Sequence, residues 1–247
     1  MSFWPYRVMC RACGEYQLPK ESNVFNRKRM SRSVGSVLVV SLALIGGQAL
    51  AQSEGAITSE RFELGRHYDR LSPTQPTSSG PDQIEVAEIF WYGCQFCYTF
   101  DPYLESWKGD LAADVSFVRI PAVWNPLLQL HARAFYAAEV LGIVDEIHTP
   151  IFREIHVNGN PLNSEQALQT FFGQFGVSAE EFTGAFNSFA VHTRLQRADE
   201  LSRRYRISSV PTVIVNGKYS ASASSAGDYP TLMELIDELV VSERAGE

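Results

Sequence analysis

Cysteine is scarce in this 247-residue chain: four residues in all, and only Cys94 and Cys97 beyond position 13. One pair closing a loop of a few residues removes little chain entropy from the unfolded state, so a purely structural crosslink explains it poorly. The five histidines (His67, His131, His148, His156 and His192) are scattered without ligand spacing, and each reads as an ordinary surface or helix residue. No metal is expected. Positive charge is also short, with 21 Lys and Arg against 28 Asp and Glu. An acidic chain is not a nucleic-acid binder by bulk electrostatics. Long apolar runs are missing as well. Val34 to Gly47 is a run of 14 residues, below the ~20 of a membrane span. No internal repeat is visible.

That short run has a different meaning. Lys28, Arg29 and Arg32 precede it and Ala49-Leu50-Ala51 follows it, the order of basic region, apolar region and small-x-small cleavage site of a secretory signal peptide. Cleavage is expected after Ala51, with export to a compartment where disulfides persist. Residues 1–29, including Cys10-Arg11-Ala12-Cys13, stand upstream of a complete signal whose natural start would be Met30, and are read as a start codon placed too early, the alternative being a long basic region before an uncleaved anchor. Of the 21 basic and 28 acidic residues, 7 and 2 precede Gln52, which leaves 14 against 26 and a formal charge of −12.

The order of elements reads β-α-β, helical block, β-β-α. A short strand is expected around His67 to Leu71, then a connector, "SPTQPTSSGPD". "IEVAEIFWY" (84–92) is apolar almost throughout, as a strand covered on both faces should be. A helix follows Cys94 to about Leu111, with Pro102 inside it, and "VSFVRIPAV" (115–123) is the next strand. From Leu127 to about Arg206 the signals are helical. "HARAFYAAEVLG" ends at Gly142, Asn163 precedes "SEQALQTFFGQFG", and Ser178 with Glu181 fits a capping box. Then "SSVPTVIVNGKYSAS" gives two strands joined at Asn216-Gly217. A final helix is opened by Pro230, with Leu232, Leu235, Ile236 and Leu239 on one face.

"GCQFCYTFDP" (93–102) carries the chemistry. A strand that ends in Gly93 and turns into a helix puts Cys94 at the helix N-terminus, where unpaired N–H groups and the dipole favour a thiolate. Cys97 lies one turn on, on the same face. The spacing fits a redox pair, half of a zinc site, or an inert surface pair. Glu88, six residues before Cys94, is either solvent-facing or buried beneath the site; the apolarity of both strand faces favours burial. A buried carboxyl has a raised pKa, suited to exchanging a proton with Cys97. Val210-Pro211, by itself, would be a trans bond.

Cys-x-x-C after a strand in an exported chain resembles the thioredoxin superfamily. "EIFWYGCQFC", "AFNSF" (185–189) and "VPTVIVNGKY" (210–219), with the helical block between the first and last, look specifically like the DsbA-type thiol:disulfide oxidoreductases of the bacterial periplasm, over residues 60–242. The resemblance implies an α/β, thioredoxin-like fold in two parts, 60–124 and 207–243, around an all-helical insertion, 125–206, after a leader of residues 1–51. It implies a cis bond before Pro211, with Val210 presenting main chain to an extended substrate, and it places a basic partner for Glu88 at Arg119. Phe96, Gln95 and Trp91 would meet unfolded chains, with core packing the alternative for Trp91. The expected function is donation of the Cys94–Cys97 disulfide to folding cysteine-containing exported proteins through a mixed disulfide. No cofactor beyond that disulfide is expected, a DsbB-type membrane protein would reoxidise it, and the protein would be a periplasmic monomer. A reductase or isomerase on the same fold, or a non-catalytic chaperone or binding module, are the alternatives. Gln95-Phe96 departs from the Pro-His of better-known members and brings no positive charge to Cys94.

Overall fold

The computed structural model describes residues 61–246. The signal, the Met30 start and Cys10-Arg11-Ala12-Cys13 lie outside the described residues. Among these, no helix is long and apolar enough to cross a membrane.

The elements run β1 (Tyr68–Arg70), β2 (Ile84–Phe90), α1 (Gln95–Gly109), β3 (Val115–Pro121), then five helices: α2 (Pro126–Leu141), α3 (Val144–His156), α4 (Glu165–Gly173), α5 (Ala179–Phe186) and α6 (Phe189–Arg204). The chain returns as β4 (Thr212–Val215), β5 (Tyr219–Ala221), a four-residue α7 (Ala223–Ala226) and α8 (Tyr229–Ala245). This is a thioredoxin-like α/β architecture with helices inserted between β3 and β4. The insertion splits the sheet's sequence but not the sheet, whose order is β1-β5-β4-β2-β3. β2 pairs with β3 in parallel and with β4 antiparallel, so both its edges are satisfied. That is why its sequence is apolar on both faces. Val86 and Glu88 alternate with Ala87 and Ile89 across the sheet. On one side Val86 packs with Phe100, Leu104 and the α8 residues Leu232, Leu235, Ile236 and Leu239. On the other, Ala87 and Ile89 join the core that also takes in buried residues of α2 to α6. Each fully buried leucine or isoleucine of α8 contributes about 1.5–3 kcal/mol.

The helix boundaries follow from side chains. Asn125 caps α2 by accepting from the Leu128 N–H at 3.0 Å, and Gly142 ends it with a left-handed φ of 74°. Ser178 and Glu181 form the expected capping box on α5, and Asp228 caps α8 at the Thr231 N–H. The connector after β1 is tied down rather than loose. Glu85, buried on β2, accepts from both the N–H and the hydroxyl of Ser78 and Ser79 at 2.5–3.0 Å. The connector also crosses the β4–β5 turn, where Gln75 donates to the Gly217 carbonyl at 2.9 Å. A Cβ at Gly217 would stand 2.1 Å from the Gln75 oxygen, so this turn needs glycine for space as well as for its φ of 62°.

Candidate functional site

β2 delivers the chain into a turn, Trp91 to Gly93, closed by the Cys94 N–H on the Trp91 carbonyl at 3.0 Å. Two histidines of the helical block hold that turn. Trp91 Nε1 donates to His131 Nδ1 at 3.0 Å, leaving His131 Nε2 to donate to the Pro161 and Leu162 carbonyls. His156 Nε2 donates to the Tyr92 carbonyl at 2.7 Å, its ring stacked on Tyr98. Gly93 has no room for a side chain, since a Cβ would fall 2.3 Å from the Trp91 ring.

Cys94 is the N-cap of α1 and is half-buried; Cys97 is fully buried. Both are free thiols, so the site is described in its dithiol form. Cys94 Sγ accepts the Cys97 N–H at 3.4 Å and lies 3.5 Å from the Val210 carbonyl. Hydrogen bonds from the Cys97 thiol, then from the Cys97 and Phe96 N–H groups, outweigh desolvation and bring the Cys94 pKa down to about 6. Burial drives Cys97 strongly the other way, helped by its hydrogen bond to Cys94 and by the charge of Glu88. One sulfur is thus an accessible thiolate near neutral pH and the other a buried thiol. Val210-Pro211 is cis, as the family resemblance and not the dipeptide implied.

Glu88 is buried (1% exposed) and its register partner is Arg119. Arg119 reaches three carboxylates: Nε to Glu88 at 3.1 Å, Nη2 to Asp101 at 3.1 Å and to Glu105 at 2.7 Å. Burial pushes the Glu88 carboxyl up to about 7 against the pull of Arg119. Asp101, also buried, goes down: burial would raise it, but His148, Arg119 and Thr149 together prevail. Thr149 donates to it at 2.8 Å, and His148 Nε2 stands 3.2 Å away. His148 Nδ1 meets the Tyr92 hydroxyl at 2.9 Å, and burial lowers its pKa to about 4. Asp101, His148 and Thr149 were not foreseen, and the histidines expected at ordinary positions include two buried ones, His131 and His148.

Beside the cysteines lies an open groove of about 700 Å³, lined among others by Gln95, Phe96, Thr99, Val210, Pro211 and Tyr229. Phe96 projects into solvent, 68% exposed. Trp91 is half-buried and committed to His131. The structure therefore brings Cys94, Gln95, Phe96 and Val210 together at the surface over the buried Cys97 and Pro211, with Glu88 below and Trp91 to one side.

These shifts predict how pH separates the two redox states. Cys94 titrates near 6 folded and near 9 unfolded, so the fold gains stability from its thiolate as pH rises from about 6 to 9 and has none of it below 6. Cys97 stays protonated when folded, so above about 9 it subtracts stability. The oxidised form has neither titration. Denaturant unfolding of both forms should show the reduced form gaining on the oxidised form from pH 6 to 9 and losing ground beyond; a flat difference would refute the assigned shifts.

Comparison with known proteins gives one consistent result. The family described as DSBA-like thioredoxin domain matches residues 113–237. The thiol:disulfide interchange protein DsbA of Azotobacter vinelandii is 36% identical over 215 residues, 87% of this chain and 98% of that protein. The crystal structure of Pseudomonas aeruginosa DsbA superposes with a TM-score of 0.73 at 36% identity, covering 76% of this chain and 97% of that one. The oxidoreductase DsbA of Xylella fastidiosa gives 0.71 at 33%, covering 75% and 99%.

Proposed function

The chain belongs to the family of DsbA-like thioredoxin domains, whose members are thiol:disulfide oxidoreductases, and from that premise we propose that Cys94 and Cys97 form its redox centre and that it works as an exported dithiol oxidase. The observation that carries the reading is the inequality of the two sulfurs, a half-exposed thiolate at a helix N-cap and a buried thiol one turn on. In the oxidised enzyme a substrate thiolate attacks the Cys94 sulfur and the Cys97 sulfur leaves, taking a proton from Glu88. A second substrate thiolate then attacks the substrate sulfur of the mixed disulfide. Cys94 departs as a thiolate, the substrate holds the new disulfide, and the enzyme is reduced. A low leaving-group pKa at Cys94 favours this direction.

The groove supports an extended substrate segment. Val210 and Pro211 present main chain at the cysteines, in the manner of strand addition. Phe96 and Gln95 line the floor beside it and Trp91 borders the turn. The substrates are cysteine-containing proteins still folding after export. Glu88, tied to Arg119, serves the buried sulfur. No cofactor other than the disulfide takes part, and turnover draws on a DsbB-type membrane reoxidant. The working protein is a periplasmic monomer, with residues 1–51 as leader, 60–124 and 207–243 as the thioredoxin-like parts and 125–206 as the helical insertion.

A stoichiometric assay tests the direction. Oxidised purified protein mixed with a reduced two-cysteine peptide should yield one peptide disulfide per protein molecule and a protein dithiol, both read by mass spectrometry. Failure to oxidise the peptide, with the reduced protein instead cleaving a peptide disulfide, would make it a reductase.

A further inference from the structure

We propose that the Tyr229 hydroxyl is a positioning group for the Cys94 thiolate, acting through the Phe96-Cys97 peptide unit. The two ends of this one peptide are held by different parts of the chain. Its carbonyl accepts from the Tyr229 hydroxyl at 3.0 Å, and its N–H donates to Cys94 Sγ at 3.4 Å. Resonance joins the two ends of a peptide. A donor on the oxygen withdraws electron density from the nitrogen, so the N–H becomes a stronger donor to the sulfur. Tyr229 thereby strengthens a bond to the thiolate without touching it.

The hydroxyl is brought there by packing, not by local sequence. Tyr229 opens α8, 133 residues from Phe96, and follows the N-cap Asp228. Its ring stacks on Phe100 with centroids 5.1 Å apart and leans on Tyr103 at 5.6 Å. A phenylalanine would make the same ring contacts, so the oxygen is surplus to packing. The other titratable groups nearby are Cys97 on the same helix turn, Glu88 beneath Cys97, Tyr103 and Asp228; none of them bonds the Phe96 carbonyl. The hydroxyl also forms part of the groove wall, where a bound segment would exclude water from it and sharpen its effect.

The inference rests on Cys94 being the attacking sulfur. It is tested with the purified protein and Tyr229→Phe. The rate of Cys94 alkylation is followed against pH by mass spectrometry of the Cys94 peptide. Both proteins are also equilibrated with glutathione, where two glutathione thiols reduce the enzyme disulfide to the Cys94 thiolate and Cys97 thiol, releasing one glutathione disulfide and one proton. Strengthening of a bond by roughly 10–30% through its neighbour corresponds to about a two- to threefold change here. The variant should hold about two- to threefold less thiolate at pH values a unit or more below the parent's midpoint, and its equilibrium constant with glutathione should fall by the same factor. Its oxidised form should unfold at the same denaturant concentration as the parent's. Equal thiolate and equal constants in the two proteins overturn the inference and leave the functional reading intact, as does a shift matched by lost stability of the oxidised form. A parent whose Cys94 titrates in the ordinary thiol range removes the functional reading and the inference together.

Discussion

Cys94→Ser is expected to abolish disulfide exchange, while Cys97→Ser is expected to accumulate a stable mixed disulfide with any peptide disulfide offered to it. The asymmetry follows from where the sulfurs sit. With Cys97 replaced, Cys94 remains a half-exposed thiolate that attacks the peptide disulfide, expels one peptide sulfur, and keeps the other because no neighbouring thiol can displace it. With Cys94 replaced, the remaining sulfur is inaccessible and held protonated. Incubating each variant with an oxidised peptide and weighing the products distinguishes them: Cys97→Ser gains the mass of one peptide chain and Cys94→Ser gains none. Equal capture by Cys94→Ser would reverse the roles assigned to the two residues.

Arg119→Met is expected to cost about 3–5 kcal/mol at pH 8, because it removes the guanidinium between two buried carboxylates while their burial remains. The deficit has a definite pH dependence. Without Arg119 the folded-state pKa values of Glu88 and Asp101 both rise, so the cost is complete above those raised values and shrinks as pH falls, the Glu88 share going first and the Asp101 share lasting until the parent's own depressed Asp101 takes its proton, below about pH 4. Arg119→Lys should fall between variant and parent, since a single ammonium cannot reach Glu88, Asp101 and Glu105 in the fork arrangement. Denaturant unfolding at pH 4 and pH 8 checks all three proteins. A pH 8 deficit below about 1 kcal/mol would mean that water or a shifted neighbour satisfies the carboxylates, and would count against a dry charged cluster under the cysteines.

What could be read from the chain depended on whether the signal was local. Glu88 stood out because a carboxylate is out of place in a strand apolar on both faces, while its partner Arg119 came only from the family resemblance, and the strand register then sets the two side by side. Asp101 gave no such sign. In "CYTFDPYLESW" it reads as one more charged residue of a surface helix, and its burial is imposed by Thr149 and His148 from α3, a contact set by packing between segments nearly 50 residues apart. His131 and His156 escaped notice for the same reason: their bonds to Trp91 and the Tyr92 carbonyl exist only once the helical block has docked. Trp91 reads equally as exposed or as core; it is half-buried, and its indole N–H is spent on His131. Caps and turns fared better because each is written within four residues, as at Ser178-Glu181 and Asn216-Gly217. The strand boundaries slipped where sequence alone gives no stop: "IEVAEIFWY" leaves the sheet at Phe90, and "SSVPTVIVNGKYSAS" leaves it at Ala221, its last serine being the N-cap of α7. The low thiolate pKa did not need the Pro-His pair, since N–H groups and the second thiol supply it.

The insertion between β3 and β4 also sets the order in which the molecule can come into being. Val86 pairs with Val215, so the central strand acquires its second neighbour only after the whole helical block has been made. During synthesis the cysteines emerge early, on a strand and helix that lack Val210, Pro211 and Tyr229. Until the last forty residues arrive, the nascent chain carries two thiols with no loop above them, no hydroxyl on the Phe96 carbonyl and an unpaired edge on β2. Non-local pairing of this kind is slow and leaves a strand edge exposed. A product truncated before Thr212 would therefore be a sticky dithiol chain, and so a client for disulfide exchange in its own right, whereas the full-length chain is the catalyst.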